Sequence, residues 1–268
     1  EFDTFVPNAK NLELGSNSTA EVSLGNLNLP SSSIDVKGGS LNITGGSVGA
    51  NGNLEIGGAG GLSIEGNLAV TGTLNLNDGA STTYAGNKID VSGGTLELAG
   101  THSLNSITTN AQTKLKINNS ANISRTDSGF NNFSSLTFNS GNSLSASNMN
   151  LTIAGTVSLS SQQLSQSNGI LTFQSVPSLT NSSSLSVSNG GELVLQNGGT
   201  FNGSSVQLNA SVFKPTGTVS VTNGGTLTLN ETSSVVLLGD TTLNQAGTVS
   251  WPELDLGGKK LSLGSTVS

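Results

Sequence analysis

No cysteine occurs anywhere in the chain, and histidine occurs once, at His102. The first absence removes disulfides and thiolate metal centres. The second removes metal centres built on several imidazoles. Arginine also occurs once, at Arg125. Aromatic residues make up 4% of the chain, which leaves little material for the platforms on which sugar rings stack. Only 9% of residues are charged, and 16 acids against 9 bases give a net charge of −7. There is no basic stripe to hold nucleic acid or an anionic membrane surface. Between Asp127 and Glu192 no side chain is charged. That stretch can hydrogen-bond neutral polar ligands but cannot steer ionic ones. No apolar run approaches the ~18 residues of a bilayer-spanning helix, so membrane insertion is not expected.

What the chain has in quantity is small and polar. Serine, glycine, asparagine and threonine number 44, 36, 32 and 29, or 141 of 268 residues. An ordinary globular core needs more bulky apolar side chains than the remainder supplies. The aliphatic residues nevertheless recur with a regularity that a disordered chain lacks.

The recurring unit is a triplet, apolar-polar-apolar: Leu12-Glu13-Leu14, Ile34-Asp35-Val36, Leu54-Glu55-Ile56, Leu74-Asn75-Leu76, Leu96-Glu97-Leu98. Period two marks a short strand with one buried face. The series continues through Leu115, Leu136, Val157, Leu179, Phe201, Val219, Leu243 and Leu261. A second series runs Val22, Leu41, Leu62, Tyr84, Leu104, Ile123, Leu144, Leu164, Leu185, Val206, Leu227, Val249. A third runs Leu27, Val48, Leu68, Ile89, Ile107, Phe130, Leu151, Leu171, Leu193, Val212, Val235, Leu254. Each repeats about every 21 residues, the signature of a solenoid.

The spacing predicts an all-β, parallel β-helix (β-solenoid) with three short strands per ~21-residue coil and about 12 coils over residues 12–268. Residues 1–11, with Phe2, Phe5, Val6 and Pro7, form an N-terminal cap or lead-in. Leucine-rich repeats share the period but require a fixed Asn and a helical or extended back segment. Three even strands favour a closed section instead. Gly-Gly pairs mark the corners: Val36-Lys37-Gly38-Gly39-Ser40-Leu41 recurs at Val91–Leu96 and, with an Asn inserted, at Val187–Leu193 and Val221–Leu227. Tight corners need positive φ, which Gly and Asn tolerate.

Repeats such as Val219-Ser220-Val221-Thr222-Asn223-Gly224-Gly225-Thr226-Leu227 resemble the passenger regions of bacterial type V secreted proteins, both autotransporters and filamentous-haemagglutinin-like adhesins. The resemblance covers essentially the whole chain. It implies a structural or adhesive extracellular rod at the bacterial surface, or a self-assembling fibre, with a host-cell or glycan receptor. The alternatives are a carbohydrate-binding or carbohydrate-active β-helix and a toxin-like passenger with its own receptor.

The residues offer no catalytic constellation, so no enzyme and no cofactor is expected. His102 falls near a corner and reads as a surface residue. The notable feature is the column Glu13, Asp35, Glu55, Asn75, Glu97, whose members occupy one position on successive coils. Stacked like charges repel, so the column is not a packing device. It is a candidate site for Ca²⁺ or a basic partner, weighed against a plain solvated face that keeps the protein soluble. At the other end, Leu254, Leu256, Leu261 and Leu263 belong to terminal strands with no expected neighbour above them. Further coils, or end-to-end self-association, would satisfy their backbone groups.

Overall fold

The computed structural model describes residues 89–250 except 106, 127–129 and 140, then 254–255 and 258–263; before residue 89 it describes the strands alone. The chain forms a parallel β-solenoid in which every described regular element is a strand. It divides into two compact units, Glu1–Asn122 and Ile123–Ser268.

In the first unit, strands pair in parallel with strands one repeat away rather than with their sequence neighbours. Leu12 lies opposite Ile34, Ile34 opposite Leu54, Leu54 opposite Leu74 and Leu74 opposite Leu96. A separate stack runs Leu27, Val48, Leu68, Ile89, Ile107. Both follow the spacing read from the sequence. Thr4–Phe5, placed in the lead-in, pairs in register with Asn26–Leu27 and so adds a strand to the second of these stacks. In the third stack Leu41 faces Leu62 as expected, but its lower neighbour is Ala20, and Val22 pairs with Ile43. Tyr84 likewise faces Ile64, leaving Thr82 opposite Leu62. Both slips are two residues, which preserves the face because side chains alternate with period two.

In the second unit the series Leu144, Leu164, Leu185, Val206, Leu227, Val249 is in register throughout. Burial alternates as the pairing requires, for example buried Leu185 and Val187 between half-buried serines. The other two series need corrections. Leu151 faces Asn131 rather than Phe130, and Leu193 faces Phe213 rather than Val212. Phe201 faces Val221 rather than Val219, and Leu243 faces Leu263 rather than Leu261. The one-residue slip at Val212 has a physical cause: Phe213 is the larger apolar group and takes the core, which leaves Val212 half-buried. Phe133, Phe173, Phe201 and Phe213 are the largest fully buried side chains described.

Three of the four Gly-Gly corners are described, and each turns as expected. Gly93, Gly190 and Gly224 have φ of 81°, 78° and 75°. In each corner the second glycine donates its N–H to the residue three back: Gly94 to Val91 O, Gly191 to Ser188 O, Gly225 to Thr222 O. The corner at residues 37–39 lies outside the described residues.

Left-handed corner residues also stack. Asn148, Asn168, Asn189 and Ala210 follow four successive strands, all with φ between 50° and 55°. Asn168 Nδ2 donates to Asn148 Oδ1 at 2.8 Å. Two other corners share a different device. Asn110 Oδ1 accepts Gly93 N–H from the preceding repeat (3.2 Å), while Thr113 Oγ1 bridges Asn110 Oδ1 and Val91 O. Asn230 Oδ1 accepts Ala210 N–H (3.0 Å), while Ser233 Oγ bridges Asn230 Oδ1 and Leu208 O. An Asn with a hydroxyl three residues on thus ties one repeat to the previous one.

Candidate functional site: the acidic column

Backbone register brings the column together. Glu13 lies opposite Asp35, Asp35 opposite Glu55, Glu55 opposite Asn75 and Asn75 opposite Glu97. Adjacent strands stand roughly 4.8 Å apart, so five consecutive positions form a line about 19 Å long. The side chains of Glu13, Asp35 and Glu55 lie outside the described residues. Those of Asn75 and Glu97 are described, and both are half-buried.

Glu97 is not an open ligand. Its Oε1 forms an ion pair with Lys116 Nζ at 3.0 Å, and its Oε2 accepts Asn118 Nδ2 at 2.6 Å. Lys116 sits on the strand Lys114–Ser124, so the line of carboxylates ends against a cation. The Lys116 side chain remains 39% exposed against 16% for that of Glu97, so water and salt screen the pair. Asn75 interrupts the acids between Glu55 and Glu97. Its Oδ1 is buried and has no hydrogen-bond donor among the described residues. Among those residues no group of three His, Cys, Asp or Glu side chains is placed to hold a metal ion.

His102 is not a surface residue; it is 3% exposed. The strand Thr95–Ser103 runs straight through the position where a corner is expected. Its alternation changes phase at Ala99–Gly100, where Leu98 and Ala99 are both buried and Gly100 has φ 85°. Beyond that shift His102 points inward. Its Nε2 lies 2.8 Å from Ala99 O, so Nε2 carries the proton and donates it. Nδ1 is also buried and has no partner among the described residues.

Arg125, the sole arginine, is also buried, and its Nη1 donates to the fully buried Asn131 Oδ1 at 3.1 Å. Sequence reasoning missed this pair. Another miss is Gln166, 1% exposed, which occupies an inward position between Ala146 and Val187. Its Nε2 donates to Met149 O at 3.0 Å.

Of the proposed assembly residues, Leu254 pairs with Val235, Leu261 with Thr241 and Leu263 with Leu243. Leu256 lies outside the described residues. Lys259 and Lys260 are exposed, and Lys260 N–H donates to Asp240 Oδ1 at 3.1 Å. Among the described residues no helix is long and apolar enough to cross a membrane, which says nothing of a β-barrel.

These features define an all-β parallel solenoid with an acidic column on one stack of strands. No protein-family model, no curated protein and no solved structure matches the chain.

Proposed function

We propose that this chain is the structural and adhesive part of a secreted bacterial surface protein of the type V passenger kind, acting by binding rather than catalysis. In this reading each coil of ~21 residues carries three strands, and about 12 coils build the whole. Its receptor is a neutral glycan or another uncharged polar surface on a host cell. Nucleic acid and the lipid bilayer are not partners, in keeping with the net charge of −7 and the lack of a basic stripe.

One observation supports the adhesive reading above the rest. On one stack of the second unit, Ser145, Ser165, Ser186, Gln207 and Thr228 follow one another in register, flanked by the column Ser143, Gln163, Ser184, Ser205, Thr226. This array presents hydroxyl and amide groups at strand spacing with no charge among them. Such groups exchange hydrogen bonds readily with neutral polar ligands and repel none by charge.

A glycan array tests the reading directly. The intact chain should retain neutral glycans, and a Ser186→Glu, Thr228→Glu variant should lose them while melting like the parent. Failure to bind both the array and cultured host cells would overturn the adhesive role. Turnover of any polysaccharide would overturn the binding-only role.

A further inference from the structure

Six asparagines in this chain precede glycine, the sequence in which the side-chain amide is most open to attack by the next backbone nitrogen. Asn51-Gly52 lies outside the described residues; the other five are Asn168, Asn189, Asn197, Asn202 and Asn223. Two share nearly the same local sequence and the same backbone. Ser188-Asn189-Gly190-Gly191 has φ of 55° and 78° at its central pair, and Thr222-Asn223-Gly224-Gly225 has 51° and 75°. All four central residues are exposed.

Stacking separates them. The repeat above Asn189 follows its backbone through the corner: Asn189 N–H donates to Asn209 O (3.2 Å) and Gly190 N–H to Ala210 O (2.7 Å). The repeat above Asn223 cuts the corner short. Ala246 N–H donates to Val221 O (2.8 Å) and Thr248 N–H to Gly225 O (3.1 Å). Only Gly247 lies between those two donors, whereas Thr222, Asn223 and Gly224 lie between the two acceptors. Three residues therefore project past a single one. Gly224 N–H has no hydrogen-bond partner among the described residues, whereas Gly190 N–H is bonded to Ala210 O.

The remaining sites are held. Gly203 N–H donates to Thr222 O at 3.0 Å. Gly169 and Gly198 are packed so closely on Met149 O and Thr218 O that neither has room for a Cβ. Rotation of those peptides requires neighbouring repeats to part.

We propose that Asn223 is a site of self-catalysed backbone attack and deamidation, selected among the described Asn-Gly pairs by the shortened corner of the next repeat, which leaves the Gly224 N–H unbonded. The Gly224 nitrogen attacks Cγ of Asn223. The N–Cγ bond forms, the Cγ–Nδ2 bond breaks, and Nδ2 leaves as ammonia carrying the proton from the Gly224 amide. Water then opens the five-membered imide at either carbonyl, which yields aspartate or its β-linked isomer. No oxidant, cofactor or enzyme enters the balance. The reaction replaces the Asn223 Nδ2 donor, bonded to Asn202 Oδ1 at 2.6 Å, with a carboxylate. The new carboxylate adds a negative charge at this corner, and the Asn202 amide must flip to donate to it.

The experiment is peptide mapping by mass spectrometry of the intact folded chain aged in mildly alkaline buffer, with a parallel sample aged in denaturant. In the folded sample Asn223 should convert several-fold faster than Asn189, and faster than Asn168, Asn197 and Asn202. In denaturant Asn189 and Asn223 should converge, since their flanking residues are nearly identical. Equal rates for the two in the folded protein would overturn the proposal, as would faster conversion at any of the other three. So would an intact Asn223 at the time when the unfolded chain has fully converted.

Discussion

The middle position of the apolar-polar-apolar strand carries different chemistry in the two units. In the first it reads Glu13, Asp35, Glu55, Asn75, Glu97; in the second, Ser145, Ser165, Ser186, Gln207, Thr228. The residues flanking these positions scarcely differ: Leu74 and Leu76 in one, Leu185 and Val187 in the other, all fully buried. The difference teaches which positions specify the fold. Inward ladders tolerate little chemical variation, because an unpaired polar group in a dry core is costly. The position between them faces no such constraint and can carry a line of carboxylates or a line of hydroxyls on the same scaffold.

The largest expected effect tests the shared half of that comparison. Leu151 and Leu74 are both fully buried. Leu151→Asp and Leu74→Asp should each destabilise by about 4 kcal/mol or more, read as a large fall in the melting temperature. A variant that melts like the parent would mean its side chain is not inward, and the register of that unit would be wrong.

The second effect probes where the cores differ. The described core of the second unit contains Phe173 among its largest side chains. Phe173→Ala should cost about 3–5 kcal/mol, because a stacked ladder flanked by Ile153 and Leu195 cannot collapse onto the gap. Thermal melts of this variant beside Leu96→Ala, expected at about 2–5 kcal/mol, compare how the two cores relax.

A smaller effect concerns the corners. Ala210 is the only one of its column, Asn148, Asn168, Asn189, Ala210, that is not asparagine, yet it has the same left-handed φ of 50°. Ala210→Asn should stabilise by about 0.5–1 kcal/mol, since Asn tolerates that conformation better. A melting temperature unchanged or lowered would show that the Asn230 clamp on Ala210 N–H already fixes the corner.

The smallest effect lies on the acidic column. Asp35→Asn removes a carboxylate placed in register between Glu13 and Glu55. It should stabilise by a few tenths of a kcal/mol at low salt, and the gain should vanish at high salt. Calorimetry with millimolar Ca²⁺ on the parent and on Lys116→Ala decides between a ligand column and a solvated face. Heat of binding that grows when Lys116 is removed would support the column, and its absence in both would leave only solubility.

How far the sequence could be read varies along the chain. The series Leu144 to Val249 was legible to the residue because each strand repeats a Leu/Val–polar pattern of constant length. The acidic column was legible as a register for the same reason. The Asn131 and Phe213 slots were not. At Val212-Phe213 two apolar residues are adjacent and the larger one faces in, a choice of volume settled by the neighbouring repeats; at Asn131 a polar side chain faces in, held by Arg125. His102 failed for another reason. Alternation is a local rule, and Gly100 broke its phase inside a strand that the spacing had divided.

The sequence by itself determined that this is an all-β parallel solenoid, because a two-residue alternation nested in a ~21-residue period has few other ways to bury its aliphatic side chains. Only the tertiary structure decided how Glu97 is engaged, which polar groups lie in the core, and which corner is left uncovered. Lys116 reaches Glu97 from the next repeat, Arg125 reaches Asn131 six residues on, and the shortened corner at Gly247 leaves Gly224 bare. Each depends on what one repeat places against another segment. The identical motif Asn-Gly-Gly at Asn189 and Asn223 carries no trace of that difference.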